Sequence, residues 1–314
     1  MKLSYLERFV LDCKAKGMTQ HSIETYQSNV SEFLSYNPDP RIVSIDQLRS
    51  YLEKLRYRKL SHSTLKGYMS AVSSLYDFLV FEKEILVNPV IPFRKRYLDH
   101  IKCHPETRQL ISIKEMQDLY KAARNIQEKA LIMVMAKTGI RRGELHDLRE
   151  SDIDFDRMTI HIPQKAKRSS NIAIIDEELE NTLKDLLLWR QRRAKTDWLW
   201  ISTKGGRIHK DAPGMILAEI GRKLHLHQDK GPLSRKLTPH CFRHWFTTHL
   251  FRAGMDPQYI KFLRGDSLRK ESWQIYNRID IELVRTEYLR CIPQISDRQF
   301  IQTRLSTEIF KKLN

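Results

Sequence analysis

Apolar side chains in this chain recur three and four residues apart almost everywhere, and alternate in the manner of strands only between residues 153 and 175. There Met158, Ile160 and Ile162 interleave with Arg157, Thr159 and His161, so residues 153–162 read as one strand. A second strand, Ile172-Ala173-Ile174-Ile175, follows the polar turn Pro163-Gln164-Lys165-Ala166-Lys167-Arg168-Ser169-Ser170. One hairpin with a cationic tip, set among helical repeats, predicts a mainly α chain with a small β-sheet, an α+β fold. With 314 residues there is length for two domains, each with its own core.

The helical stripes begin at once. Leu3, Leu6, Phe9, Val10 and Cys13 form the first, closed by Gly17. Thr19 caps a second that buries Ile23, Tyr26, Val30, Phe33 and Leu34, and Pro38 and Pro40 break it. Ile45, Leu48, Tyr51, Leu52 and Leu55 make a third; Leu65, Tyr68, Met69, Val72, Leu75, Tyr76, Phe78 and Leu79 make a fourth, stopped by Asn88-Pro89. Further on, Ser112-Ile113-Lys114-Glu115 has the form of a capping box, residues 129–137 read as a buried helix, and Gly139 stands where a helix would end. The expected organisation is a helical domain over residues 1–92, a basic irregular connection over 93–111, a mixed domain over 112–295 and a tail helix over 296–314. Phe300, Ile301, Leu305, Ile309 and Phe310 give that tail an apolar stripe, to be docked on a neighbouring subunit or folded back on its own domain.

Lys and Arg number 55 against 38 Asp and Glu, a formal charge of +17, which points to a polyanionic partner. An anionic membrane is set aside, because no apolar run approaches the roughly 20 residues of a span. The first residues, Met1 to Arg8, lack a signal-peptide apolar core. Cys13, Cys103, Cys241 and Cys291 are scattered without a C-x-x-C pair, as in a reduced cytoplasmic protein. No metal is expected: His240 and His244 have the spacing of a zinc pair, but no H-E-x-x-H motif and cationic neighbours. No cofactor is expected either, and no phosphate-binding G-x-x-x-x-G-K loop is present. An RNA partner lacks the aromatic strand pattern that would support it. Double-stranded DNA, in a nucleoid-associated setting, is the leading expectation.

The stretch from Thr238 to His249, Thr-Pro-His-Cys-Phe-Arg-His-Trp-Phe-Thr-Thr-His, opens like a helix, with Thr238 as N-cap and Pro239 in the first turn. Phe242, Trp245, Phe246 and Leu250 anchor it, while His240 and Arg243, three apart, share a face, and His244 lies near. An imidazole and a guanidinium fork on a buried helix suit a phosphate oxygen. Alone the motif is short. It is joined by Thr138-Gly139-Ile140-Arg141-Arg142-Gly143-Glu144-Leu145 upstream and Gln274-Ile275-Tyr276-Asn277 downstream. This ordered set resembles the tyrosine recombinase family, the lambda-type integrases and Xer-like recombinases. The N-terminal helices resemble its core-binding domain more loosely, through His21-Ser22-Ile23-Glu24-Thr25-Tyr26.

The resemblance implies a metal- and ATP-independent enzyme that cuts DNA by attack of Tyr276, leaving a 3′-phosphotyrosine that another 5′-hydroxyl reverses. Arg141 and Arg243 would hold the non-bridging oxygens and His240 would act in acid–base catalysis. Lys165, with Lys167 as competitor on the same hairpin tip, would protonate the leaving 5′ oxygen. Glu144 would hold the arginine loop, and His244 would support the site. DNA contacts would come from Arg56, Arg58, Lys59, His62, Lys66, Arg94, Lys95, Arg96 and Lys167. The working assembly would be a homo-tetramer on two duplexes, formed from a free monomer or dimer. One position departs from the pattern: Asp266 stands in Arg264-Gly265-Asp266-Ser267, where the family usually has His or Trp. Near a phosphate its carboxylate would pair with His240, which it would orient, or with Arg243, or be protonated; otherwise it would mark a divergent archaeal-type branch or a weakened enzyme. A non-catalytic DNA-binding protein of the same fold, or type IB topoisomerase-like strand breakage, are the alternatives.

Overall fold

The computed structural model describes residues 3–101, 108–163, 170–266 and 279–296. The chain divides into two compact units, Met1–Pro105 and Glu106–Asn314, each with its own hydrophobic core.

The first unit is helical. Helices α1 (Tyr5–Ala15), α2 (Gln20–Tyr36), α3 (Ile45–Tyr57) and α4 (His62–Phe81) start on Ser4, Thr19, Ser44 and Ser61, whose hydroxyls accept backbone N–H groups that have no intrahelical partner. Their stripes meet in a core where Phe33 packs edge-on against Tyr51, with ring centroids 5.1 Å apart. The buried Asn88 amide donates to Ser73 O at 2.9 Å and Asp77 at 2.7 Å, and its carbonyl accepts Val90 N. Beyond it the structure departs from the sequence reading. Residues 93–99, expected to begin an irregular connection, lie in α5 (Val90–Arg94) and a π-helical turn, Lys95–Asp99. Phe93 and Leu98 drop into the N-terminal core, and that burial outweighs the basic character of Arg94, Lys95 and Arg96.

In the second unit α6 (Ile113–Ala122) starts on the Ser112/Glu115 capping box. Helix α7 (Ile126–Thr138) is buried around nearly its whole circumference, packed by α6, α9 (Glu177–Gln191) and α11 (Pro239–Arg252). Strands β1 (Ile153–Asp154), β2 (Thr159–His161) and β3 (Ile172–Ile174) form an antiparallel sheet in that order. The stretch 153–162 is therefore two strands rather than one. Asp154 accepts Arg157 N at 2.8 Å, and Met158 turns left-handed at φ +51°, which reverses the chain between them. The expected hairpin tip, at 164–169, and all but the first residue of the tail helix expected over 296–314 lie outside the described residues. Among the described residues, α8 (Arg142–His146), α10 (Ala212–Lys223), α12 (Pro257–Arg264) and α13 (Ile281–Cys291) are the remaining α-helices of the unit. Among the described residues no helix is long and apolar enough to cross a membrane.

Candidate active site

The site is built where α7 ends. Gly139 is the C-cap at φ +57°, a conformation that suits glycine, and a Cβ there would fall 2.7 Å from Phe246 Cδ1. This close approach lets the Gly139 carbonyl accept Arg243 Nη1 at 2.7 Å. Two residues on, Arg141 takes the N-cap position of α8. The buried Glu144 carboxylate accepts both its backbone N, at 3.0 Å, and its Nη1, at 2.9 Å. One carboxylate thus sets the backbone and the guanidinium of Arg141 together.

Helix α11 supplies the second arginine. Pro239 stands in its first turn as the sequence suggests, but Thr238 occupies the N-cap without a capping bond from its hydroxyl, which lies 3.5 Å from Cys241 Sγ. Phe242, Trp245, Phe246 and Leu250 are buried and draw the Arg243 side chain inward, to 5% exposure. Its Nη2 donates to Arg264 O at 3.0 Å and to Asp266 Oδ1 at 2.6 Å. The same Asp266 oxygen accepts Arg141 Nη2 at 2.9 Å, and its second oxygen lies 3.2 Å from Arg264 Nε. Of the two partners expected for this carboxylate, Arg243 and His240, the structure gives it Arg243 and adds Arg141, each through a charge-assisted bond.

Beside this pair lies an open cleft of about 370 Å³, lined by Arg108, Ile140, Arg141, Arg142, Thr238, Pro239, His240 and Arg243. So much positive charge disfavours further protonation. Partial burial first, and then Arg108, His244, Arg243 and Arg264, lower the His240 pKa to about 4. The ring is open to solvent, which screens these charges, so the direction of the shift is what matters: His240 is neutral at pH 7. His244, with its ring 5.3 Å from that of His240, shifts the same way, through partial burial, Arg108 and Arg264. Burial and the neighbouring arginines Arg264 and Arg141 lower Arg243 to about 10, leaving it charged at neutral pH.

Two members of the site escape sequence reading. Arg108 lines the cleft, although it sits in the stretch read as a connection. Arg264 brings a third guanidinium to Asp266. The proximity of Arg264 to Asp266 in the sequence was a usable signal; for Arg108 there was none beyond its charge. Lys165, Lys167 and Tyr276 lie outside the described residues. Among the described residues no group of three or more His, Cys, Asp or Glu is placed to hold a metal ion.

In the first unit the cations expected to meet DNA gather around Tyr97-Leu98-Asp99. Arg56 donates to Tyr97 O at 3.4 Å, the His62 ring nitrogen lies 3.0 Å from Leu98 O, and Lys66 pairs with Asp99 at 3.3 Å. Arg96 stacks on Tyr97, Lys95 precedes it on the same turn, and Arg94 ends α5 just before. Arg49, which the sequence reading passed over, joins them through a 2.9 Å bond to Tyr97 Oη. Arg58 pairs with Glu32 at 2.7 Å, and Lys59 ends the helix in a left-handed turn at φ +54°. Such exposed pairs are worth about 0–1 kcal/mol and yield readily to a stronger anion.

Comparison with known proteins places the fold. The phage integrase family model matches residues 109–282, and the phage integrase N-terminal SAM-like domain matches residues 6–83. Tyrosine recombinase XerC of Anoxybacillus flavithermus is 28% identical over 293 residues, covering 89% of this chain and 94% of the relative. Tyrosine recombinase XerA of Pyrococcus furiosus is 27% identical over 286 residues, covering 89% and 91%. Among solved structures, the Tn1549 transposon integrase in complex with transposon right end DNA aligns with TM-score 0.67 at 18% identity, over 92% of this chain and 99% of its own. A lambda integrase dimer bound to a COC′ core site aligns with TM-score 0.66 at 16% identity, over 88% and 79%. At these identities the structural matches speak for the fold.

Proposed function

The chain belongs to the phage integrase family of tyrosine recombinases, and from that premise we propose that it is a site-specific recombinase that cuts and rejoins DNA through a covalent 3′-phosphotyrosine. The observation that carries this reading is the convergence of Arg141 and Arg243 on a single oxygen beside His240, although the two arginines are far apart in sequence. Two guanidiniums that share one anionic oxygen are what a pentacoordinate phosphorus needs to spread its charge.

In the proposed reaction the phenolic oxygen of Tyr276 attacks the scissile phosphorus, and the bond from phosphorus to the 5′ oxygen breaks. Neutral His240 accepts the phenolic proton, a role that suits an imidazole held unprotonated by its cationic surroundings. Lys165, or Lys167 on the same turn, donates a proton to the departing 5′ oxygen. The covalent phosphodiester retains the energy of the bond, so the reverse step requires only a 5′-hydroxyl. The cations around Tyr97 would hold the duplex by its phosphates, and synapsis would assemble four copies on two duplexes. The alternative, a DNA-binding protein of this fold without cleavage, is favoured by one feature, the Asp266 carboxylate on the arginine pair.

Covalent trapping tests the proposal. Wild type and Tyr276→Phe are incubated with nicked suicide duplexes taken from the flanks of the gene, and resolved on denaturing gels. A protein–DNA adduct in the wild type and none in Tyr276→Phe is the expected result. An adduct in both sinks the nucleophile assignment.

A further inference from the structure

The Asp266 carboxylate sits where a ligand would be expected. Its Oδ1 lies 2.9 Å from Arg141 Nη2 and 2.6 Å from Arg243 Nη2, the bridging geometry of an oxyanion between two guanidiniums. The two halves of this contact are held with different firmness. Arg243 is 5% exposed and keeps the carbonyls of Gly139 and Arg264 as acceptors; Arg141 keeps Glu144. The arginine pair therefore stays assembled without the carboxylate. Asp266 itself is 28% exposed, its second oxygen lies 3.2 Å from the equally exposed Arg264 Nε, and it follows Gly265, which closes α12 in the left-handed region at φ +63°. The carboxylate is the half that can leave.

We propose that Asp266 is a built-in counter-anion: in the DNA-free protein it occupies the seat between Arg141 and Arg243, and a tetrahedral oxyanion must displace it to bind there. The proposal rests on reading the arginine pair as a phosphate clamp. The carboxylate and a phosphate cannot share the seat, because like charges at contact distance repel strongly in a partly buried site. A phosphodiester carries one negative charge, as the carboxylate does, so the exchange leaves the charge of the cleft unchanged and little net affinity to be gained from it. Stray phosphodiesters would then compete poorly, and the seat would be taken by a diester delivered on DNA held elsewhere on the protein. Asp266 acts on the site as a competitor, through the arginines.

The test uses the full chain with inorganic sulfate as the probe, followed by calorimetric titration. Asp266→Asn is compared with Asp211→Asn, which removes a carboxylate paired with Arg142 at 3.1 Å on the rim of the same cleft. Both variants raise the net charge by one, so a general attraction of anions cancels between them. The exchange predicts sulfate binding about tenfold tighter in Asp266→Asn than in wild type, the scale of one charge-assisted contact regained, and a clearly smaller gain in Asp211→Asn. Melting curves report whether each variant is folded, and Asp266→Ala stands in if Asp266→Asn is not. An equal gain in both variants, or no gain at Asp266, overturns the proposal and makes the carboxylate a permanent brace. The suicide-duplex assay on the same proteins separates the two readings. Tighter sulfate binding without any adduct overturns the strand-transfer reading and leaves the exchange standing, whereas adducts without tighter sulfate binding overturn the exchange alone.

Discussion

Glu178 and Lys137 meet in the interior of the second unit with 1% and 0% of their side chains exposed. Asp176 takes the same ammonium, Pro293 O accepts it at 2.8 Å, and Glu178 also accepts the backbone N of Ile295 at 3.0 Å. Asp176 caps α9, whose N-terminal dipole favours the surplus negative charge. The cluster joins the last turn of α7, the start of α9 and the chain just beyond α13. Lys137→Met would leave two buried carboxylates without their cation and should cost about 3–5 kcal/mol of stability. Adding Glu178→Gln should recover part of the loss. Urea denaturation of the single and double variants measures both; an unchanged midpoint in Lys137→Met would refute the expectation.

Gly139 should tolerate no side chain. Gly139→Ala places a methyl against Phe246 and a Cβ in the left-handed region, a combined destabilisation of about 1–3 kcal/mol. Because the Gly139 carbonyl anchors Arg243, cleavage should fall further than stability explains. Thermal melting and single-turnover trapping, run side by side below the melting range, check this.

Arg243→Lys keeps a positive charge but not the fork that spans Gly139 O, Arg264 O and Asp266. Cleavage should drop on the order of 10²–10³, the usual effect of losing one preorganised donor to the transition state. Binding to duplex DNA, measured by gel shift, should change little, because many other cations contribute to it.

The low pKa of His240 has a sign that can be tested. The folded site favours the neutral ring, so between about pH 4 and the unperturbed 6.5 the unfolded chain binds more protons than the folded one. The contribution of His240 to stability is therefore fully present above pH 6.5 and is lost as pH falls toward 4. A ring titration followed by NMR should show His240 neutral down to the lower end of that window. His240→Gln should flatten the acid limb of the stability curve.

The local grammar of the chain was legible. Ser112 and Glu115 announce α6, Gly139 ends α7, and Pro239 opens α11, because caps and breakers act within one helical turn. The arginine loop and the His-x-x-Arg helix were also readable, since each motif is contiguous. The helical fold of residues 93–99 was hidden, because the apolar Phe93 and Leu98 are interleaved with Arg94, Lys95 and Arg96 and count only when a core is present to receive them.

What the sequence by itself determined is most of the helices, the sign of the charge and the contiguous motifs that carry Arg141, His240 and Arg243. Which of those groups touch was decided by the tertiary structure. Asp266 bridges Arg141 and Arg243, burial and then Arg108 depress the pKa of His240, and Lys137 finds Asp176 and Glu178 across the core. Each is a pairing between segments distant along the chain. Local propensity extends only a few residues, whereas long-range partners are chosen by how buried helices pack and by the cost of leaving a buried charge alone.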